Sequence, residues 1–161
     1  MDTRVSDEEI ASLLQEEKRL PQGLYPLKAM TARSQHKRKN FDVEGTEPGH
    51  QFVVAVRQSL LNFKDFSVIL GYQLPGTYTV FRLRRYNGSS HRHTNAIEKQ
   101  IIDGFHIHTA TARYQAVLGF PEDHFAEPTT RYGGLESAIE CLLSDCGFDS
   151  TTRTPLFTGS L

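Results

Sequence analysis

The sequence has no tryptophan, two cysteines and no excess of charge of either sign: 18 basic residues stand against 19 acidic ones in 161, a net charge of −1. Each scarcity excludes something. A balanced charge exerts no overall pull toward nucleic acid or a membrane surface, so any nucleic-acid contact must come from a local patch. Cys141 and Cys146 sit five apart on a predicted helix, where they point in different directions and are poorly placed for a disulfide. A C-x4-C pair is also a poor zinc signature. The two read as a core residue, Cys146, and a partly buried thiol, Cys141, in a reducing, cytoplasmic compartment. No apolar run approaches the ~20 residues that span a bilayer, and no signal-peptide pattern opens the chain. Glycine-rich phosphate loops, internal repeats and low-complexity blocks are missing too.

What is present reads as one α+β domain over residues 1–161. Hydrophobic residues make up 38% and charged residues 23%, a globular composition, and the length suffices for a core without disulfide staples. Ser6 followed by Glu9 is a capping box. Ile10, Leu13 and Leu14 then give one apolar stripe, so a helix is expected over residues 7–19, ended by Leu20-Pro21. Residues 21–49 are less regular, although a flanking strand fits residues 24–30. The basic run His36-Lys37-Arg38-Lys39 reads as a solvated loop, and its functional reading is a contact with phosphate or an acidic partner. Segments 52–57, 66–72, 78–85 and 101–109 are β-prone, and their short connections predict an antiparallel meander.

The expected fold is therefore an antiparallel sheet of four to five strands over residues 50–109, one face polar, packed by an N-terminal and a C-terminal helix. The second helix spans residues 134–146. There Leu135, Ala138, Ile139, Leu142, Leu143 and Cys146 share one face, and Gly147 suits the C′ position. Residues 111–130 read as loop with a short helix, and a polar tail covers residues 149–161.

The candidate site comes from strand alternation. Phe105 and Ile107 share one face of their strand, His106 and His108 the other; likewise Phe81 and Leu83 oppose Arg82 and Arg84. If the two strands lie in one sheet, His106, His108, Arg82 and Arg84 emerge together on a solvated face. Arginine forks suit phosphoryl oxygens, and histidine exchanges a proton near neutral pH. That combination suits metal-independent cleavage of RNA, with His93, His106 and His108 as catalytic residues and Arg82 and Arg84 as phosphate-binding ones. Tyr86 and Tyr114 are candidates to stack a base. The plain alternative is an ordinary polar sheet face. Glu122-Asp123-His124 could add an acid or a ligand but reads mainly as surface.

Two other readings compete. In one, His91, His93, Glu98, His106 and His108 ligate a metal ion, since imidazoles two apart on a strand can share one; nearby arginines oppose a bound cation, and no cofactor is expected in the preferred reading. In the other, the protein is not an enzyme and binds a host protein or nucleic acid through its acidic first helix and basic run.

His93-Thr94-Asn95, then His106-Ile107-His108, with Phe125-Ala126 where an aromatic precedes an alanine, resembles a family of small uncharacterised bacterial proteins that occur near mobile elements and phage-related genes. The resemblance covers residues 6–127. Ala96-Ile97 departs from the proline and glycine turn that usually follows the H-x-N element, and the C-terminal helix is not a feature of that family. The resemblance implies a toxin, defence or counter-defence role, with RNA or a host or cognate protein as partner, an antitoxin among them. It implies no settled activity.

Overall fold

The computed structural model describes residues 4–149. Except for Asp149, the expected polar tail lies outside them.

The first helix, α1, runs Asp7–Gln15. Ser6 caps it as its hydroxyl accepts from the Glu9 amide at 3.1 Å, and Ile10, Leu13 and Leu14 are buried. It stops four residues short of the expected end. The cause is Lys18, 1% exposed, whose ammonium donates to the Leu13, Leu14 and Glu16 carbonyls at 2.7, 3.2 and 2.8 Å. A fourth bond, 2.8 Å to the Cys146 carbonyl, ties this helix end to the other. These are carbonyls that a helix C-terminus leaves without intrahelical partners.

Among the described residues nine strands follow: β1 (Thr31–Arg33), β2 (His36–Glu44), β3 (Gln51–Ser59), β4 (Phe66–Gln73), β5 (Val80–Asn87), β6 (His93–Asn95), β7 (Gln100–Ile102), β8 (His106–Thr109) and β9 (Ala126–Pro128). The class is α+β and the sheet is antiparallel, as expected. It has seven strands in the order β1-β2-β3-β4-β5-β8-β9, and so extends well beyond residues 50–109. The basic run is not a loop. It opens β2, which pairs with β3 over nine residues and buries only Phe41 and Val43. The strand expected over 101–109 is two strands, because Gly104 takes a left-handed φ of 89° between β7 and β8. The β6–β7 hairpin is an insertion between β5 and β8.

A short helix, α2 (Ala112–Gln115), and the C-terminal helix, α3 (Leu135–Asp145), complete the fold. The α3 stripe from Leu135 to Leu143 is buried as the sequence predicts, together with Cys146 beyond its end. Gly147, φ 77°, ends the helix in the C′ position. This helix packs on β4 and β5, and the core beneath it holds Val54, Val68, Leu70 and Leu83, none of them exposed. Cys141 and Cys146 are free thiols, partly and fully buried. Among the described residues no helix is long and apolar enough to cross a membrane.

Candidate functional site

Strands β5 and β8 are neighbours, with Arg85 opposite His108 and Asn87 opposite His106. The alternation in β8 is as expected: His106 and His108 leave one face, while Phe105 and Ile107 pack on the helix side. The alternation in β5 is not. Gly71 pairs with Arg82 and Leu70 with Arg84, so Leu83 is an extra residue, a β-bulge. From there the phase reverses. Arg84 falls on the helix face beside Tyr86, Cys146 and Asp145, and Arg85 takes the place beside His108. The expected pair Arg82 and Arg84 is thus corrected to Arg82 and Arg85.

The histidines are not solvated. His106 is 0% and His108 3% exposed, beneath the β6–β7 hairpin and residues 122–126. His93, half-buried on β6, stacks on His106 at 5.6 Å between ring centres and meets His108 edge-on at 4.6 Å. His91 reaches His106 at 5.9 Å, and His124 reaches His93 at 4.9 Å. Five imidazoles therefore form one array.

Backbone groups fix their protons. His108 Nδ1 donates to the Asp123 carbonyl at 2.8 Å, and His106 Nδ1 to the Gly104 carbonyl at 2.9 Å, since a carbonyl only accepts. This leaves both Nε2 atoms as lone pairs when the rings are neutral. Asn95, fully buried, pairs through its amide with both backbone groups of Ala126, accepting at 2.9 Å and donating at 2.8 Å. Its oxygen also receives His93 Nε2–H at 3.0 Å. Burial pushes all three of His93, His106 and His108 below the usual histidine range. Burial, the Arg85 charge and the neighbouring imidazoles send His108 down to about 2. These are neutral bases at physiological pH.

Asp123, expected on the surface, is 0% exposed and lies 3.2 Å from Arg85 Nε and 3.6 Å from Arg82 Nε. Neither contact has hydrogen-bond geometry, so charge rather than a directed bond holds the carboxylate there. Burial raises its pKa, against the pull of Arg85 and Arg82. Arg82 is further engaged by Glu122 at 3.3 Å.

Tyr86 lies outside the array, and Tyr114 meets its edge, 4.8 Å from His124 between ring centres. Tyr86 is 0% exposed with its hydroxyl on Asp145 at 2.7 Å, and Tyr114 is 0% exposed with its hydroxyl on Glu98. Neither ring has a face open to a base. Glu98 is held by Tyr114 and Arg113, and no three His, Cys, Asp or Glu side chains among the described residues are disposed to hold a metal ion. Of the five residues of the metal alternative, the four histidines lie in the array, while Glu98 is engaged by Tyr114 and Arg113.

Beside the array, on the same face of the sheet, lies a cleft of about 280 Å³ lined in part by Arg38, Arg57, Arg85, Ser67, Asn87 and His91. Strand pairing builds it. Arg38 stands opposite Arg57, Arg57 opposite Ser67, and Ser67 opposite Asn87. Like charges directly opposite on neighbouring strands repel. Arg57 is relieved by Asp65 at 2.7 Å; no such ion pair reaches Arg38 among the described residues. Sequence reading missed Arg85 because the bulge moved it. It missed Arg57 because nothing local set that arginine apart on a β-prone strand.

Residues 5–139 match the DUF6978 family, a family of unknown function, and the chain belongs to it. No curated protein and no solved structure matches the chain. The three segments behind the resemblance seen in the sequence are brought together here: His93 bonds Asn95, Asn95 bonds Ala126, and His93 stacks on His106.

Proposed function

We propose that the cleft binds the phosphate backbone of RNA and that the protein cleaves it without a metal, as a toxin-like or defence-related nuclease. The observation that carries this reading is the row of three arginines on one sheet face, two of them directly opposed, ending at the imidazole array. An anion between Arg38 and Arg57 removes their repulsion. Arg85, backed by Asp123, adds a third cation where negative charge builds up on phosphorus.

RNA is the substrate whose own 2′-hydroxyl supplies the nucleophile. His93 is the base: its Nε2–H is held by Asn95, so Nδ1 takes the 2′-hydroxyl proton. The 2′-oxygen bonds to phosphorus, the P–O5′ bond breaks, and His91 at the exposed rim protonates the leaving 5′-oxygen. The products are a 2′,3′-cyclic phosphate and a 5′-hydroxyl. His106 and His108, too buried to meet substrate, act as positioning residues for His93. The tie to mobile elements and to a cognate antitoxin belongs with this reading.

The test is incubation of RNA and of the matching DNA with the protein in EDTA, followed by end-group analysis. Cyclic-phosphate ends on RNA alone are expected. His93→Asn and His91→Ala should each lower the rate about 100-fold or more, and Arg85→Gln should weaken RNA binding. Intact RNA after incubation with the unaltered protein overturns the reading.

A further inference from the structure

The opposite face of the sheet carries a second surface. Lys37 pairs with Gln58 in the register that pairs Arg38 with Arg57, so alternation sends Lys37 and Gln58 to the helix face. There they line a groove of about 750 Å³ with Leu27, Met30, Phe63 and Leu135 on its apolar parts and Lys28 and Lys64 at its edge. The basic run is thus divided between two surfaces, Arg38 to the cleft and Lys37 to the groove.

Three features mark the groove as built for a partner. First, its charge is one-sided: three lysines against Glu136, in a chain whose overall charge is balanced. No ion pair reaches Lys28, Lys37 or Lys64 among the described residues. Second, the loop between β3 and β4 holds out Leu61 and Phe63, 76% and 75% exposed, with Leu60 beside them at 44%. Third, that loop is stiff. Ser59 Oγ accepts from the Leu61 and Asn62 amides at 3.0 and 3.2 Å, and Gln58 Nε2 donates to the Phe63 carbonyl at 3.1 Å. The Leu60 and Asp65 amides are also bonded, to the Gln35 and Asn62 carbonyls. Large apolar side chains fixed in water by a rigid loop lose nothing further in loop ordering when a partner covers them.

We infer that this groove docks an acidic, amphipathic peptide segment of a partner protein, its apolar side chains on Phe63, Met30 and Leu135 and its carboxylates on Lys28, Lys37 and Lys64. The partner's charge follows from the lysines. A second copy fits poorly, because the apolar stripe of the acidic helix α1 is already buried in its own core. The surface is separate from the arginine cleft and does not depend on RNA cleavage.

The test uses the full chain and a fluorescent synthetic 14-residue peptide alternating leucine with glutamate and aspartate, read by anisotropy. The expected result is saturable binding that weakens at least tenfold between 50 and 500 mM salt. Phe63→Ser should weaken it at least tenfold, and so should the triple change Lys28→Glu, Lys37→Glu, Lys64→Glu. Phe63, Lys28 and Lys64 are exposed and Lys37 is half-buried, and melting curves check that the variants stay folded. Amide NMR shifts should fall on residues 58–64 and 133–137. Four outcomes overturn the inference: no binding, binding equal to that of the lysine-substituted peptide, binding indifferent to both variants, or a concentration-dependent dimer of the unaltered chain that Phe63→Ser disperses.

Discussion

On one face of the central strands lie Val54, Val68, Leu70 and Leu83, none exposed, under α3. On the other face of β5 and β8 lie Asn87, His106, His108 and Asp123, almost as thoroughly buried, under the β6–β7 hairpin and residues 122–126. Burial is alike on both sides, but what maintains it differs. Carbon packs without reference to pH and is held by its removal from water. The polar layer is stable only while each imidazole stays neutral, donates its one proton to a fixed carbonyl, and has Asp123 near Arg85. Such a layer is costly when any partner is missing. The comparison marks the polar side as the specialised one, since a carbon layer would have closed the sheet more simply.

Acid should separate the two faces most strongly. The folded-state pKa values of His93, His106 and His108 are depressed. As the pH falls below about 6.5, the unfolded chain takes up protons that the folded chain refuses. Stability is therefore complete above that pH and is lost as the pH falls toward the folded values. His108, lowered to about 2, costs about 1.4 kcal/mol per pH unit across that range, and His93 and His106, lowered by burial, add to the slope. Asp123, raised by burial, has the opposite sign and offsets part of this at lower pH. Urea unfolding between pH 7.5 and 5 should show the slope, and His108→Gln should reduce it by about 1.4 kcal/mol per pH unit. A flat profile would mean that the imidazoles are solvated after all.

Leu70→Ala supplies the contrast from the carbon side. It should cost about 3 kcal/mol, by the same amount at pH 7.5 and pH 5.5, because nothing at that position titrates. Next in size is Asn95→Ala, which should cost about 2 kcal/mol by leaving the Ala126 N–H and carbonyl without partners. It should also free His93, so a change in the His93 imidazole NMR titration accompanies the loss. A stability loss without that change would show that Asn95 serves β9 alone.

How far the sequence revealed this depended on how local each cause was. The Ser6 cap and the Leu135-to-Leu143 stripe are set by residues within a turn or two, and both were legible. The end of α1 was not, because Lys18 answers to Cys146, 128 positions away. Strand β2 was hidden because its nine residues hold only two buried apolar side chains; its partner β3 supplies the reason it is a strand. The common face of His106 and His108 was readable from period two. Their burial was not, since it depends on where the β6–β7 hairpin folds. The bulge at Leu83 was equally invisible. It is a mismatch between two strands, so it has no signature in either one, yet it exchanges Arg84 for Arg85 at the site.

That exchange gives the smallest effect and the sharpest distinction between the faces. A DNA trinucleotide carries the phosphates of the proposed substrate without the 2′-hydroxyl, so it should bind the cleft and remain intact. At tenfold excess over its dissociation constant a ligand that binds only the folded state adds about 1.4 kcal/mol, read as a rise in Tm of roughly 4 °C for a chain of this size. Arg85→Ala and Arg57→Ala should erase that increment, whatever they do to the unliganded protein. Arg84→Ala should preserve it in full, because Arg84 lies on the helix face near Asp145. The unaltered alternation of β5 would give the reverse, with Arg84 required and Arg85 dispensable. Comparing the ligand-induced increments, rather than the melting temperatures themselves, keeps the structural role of each arginine out of the result.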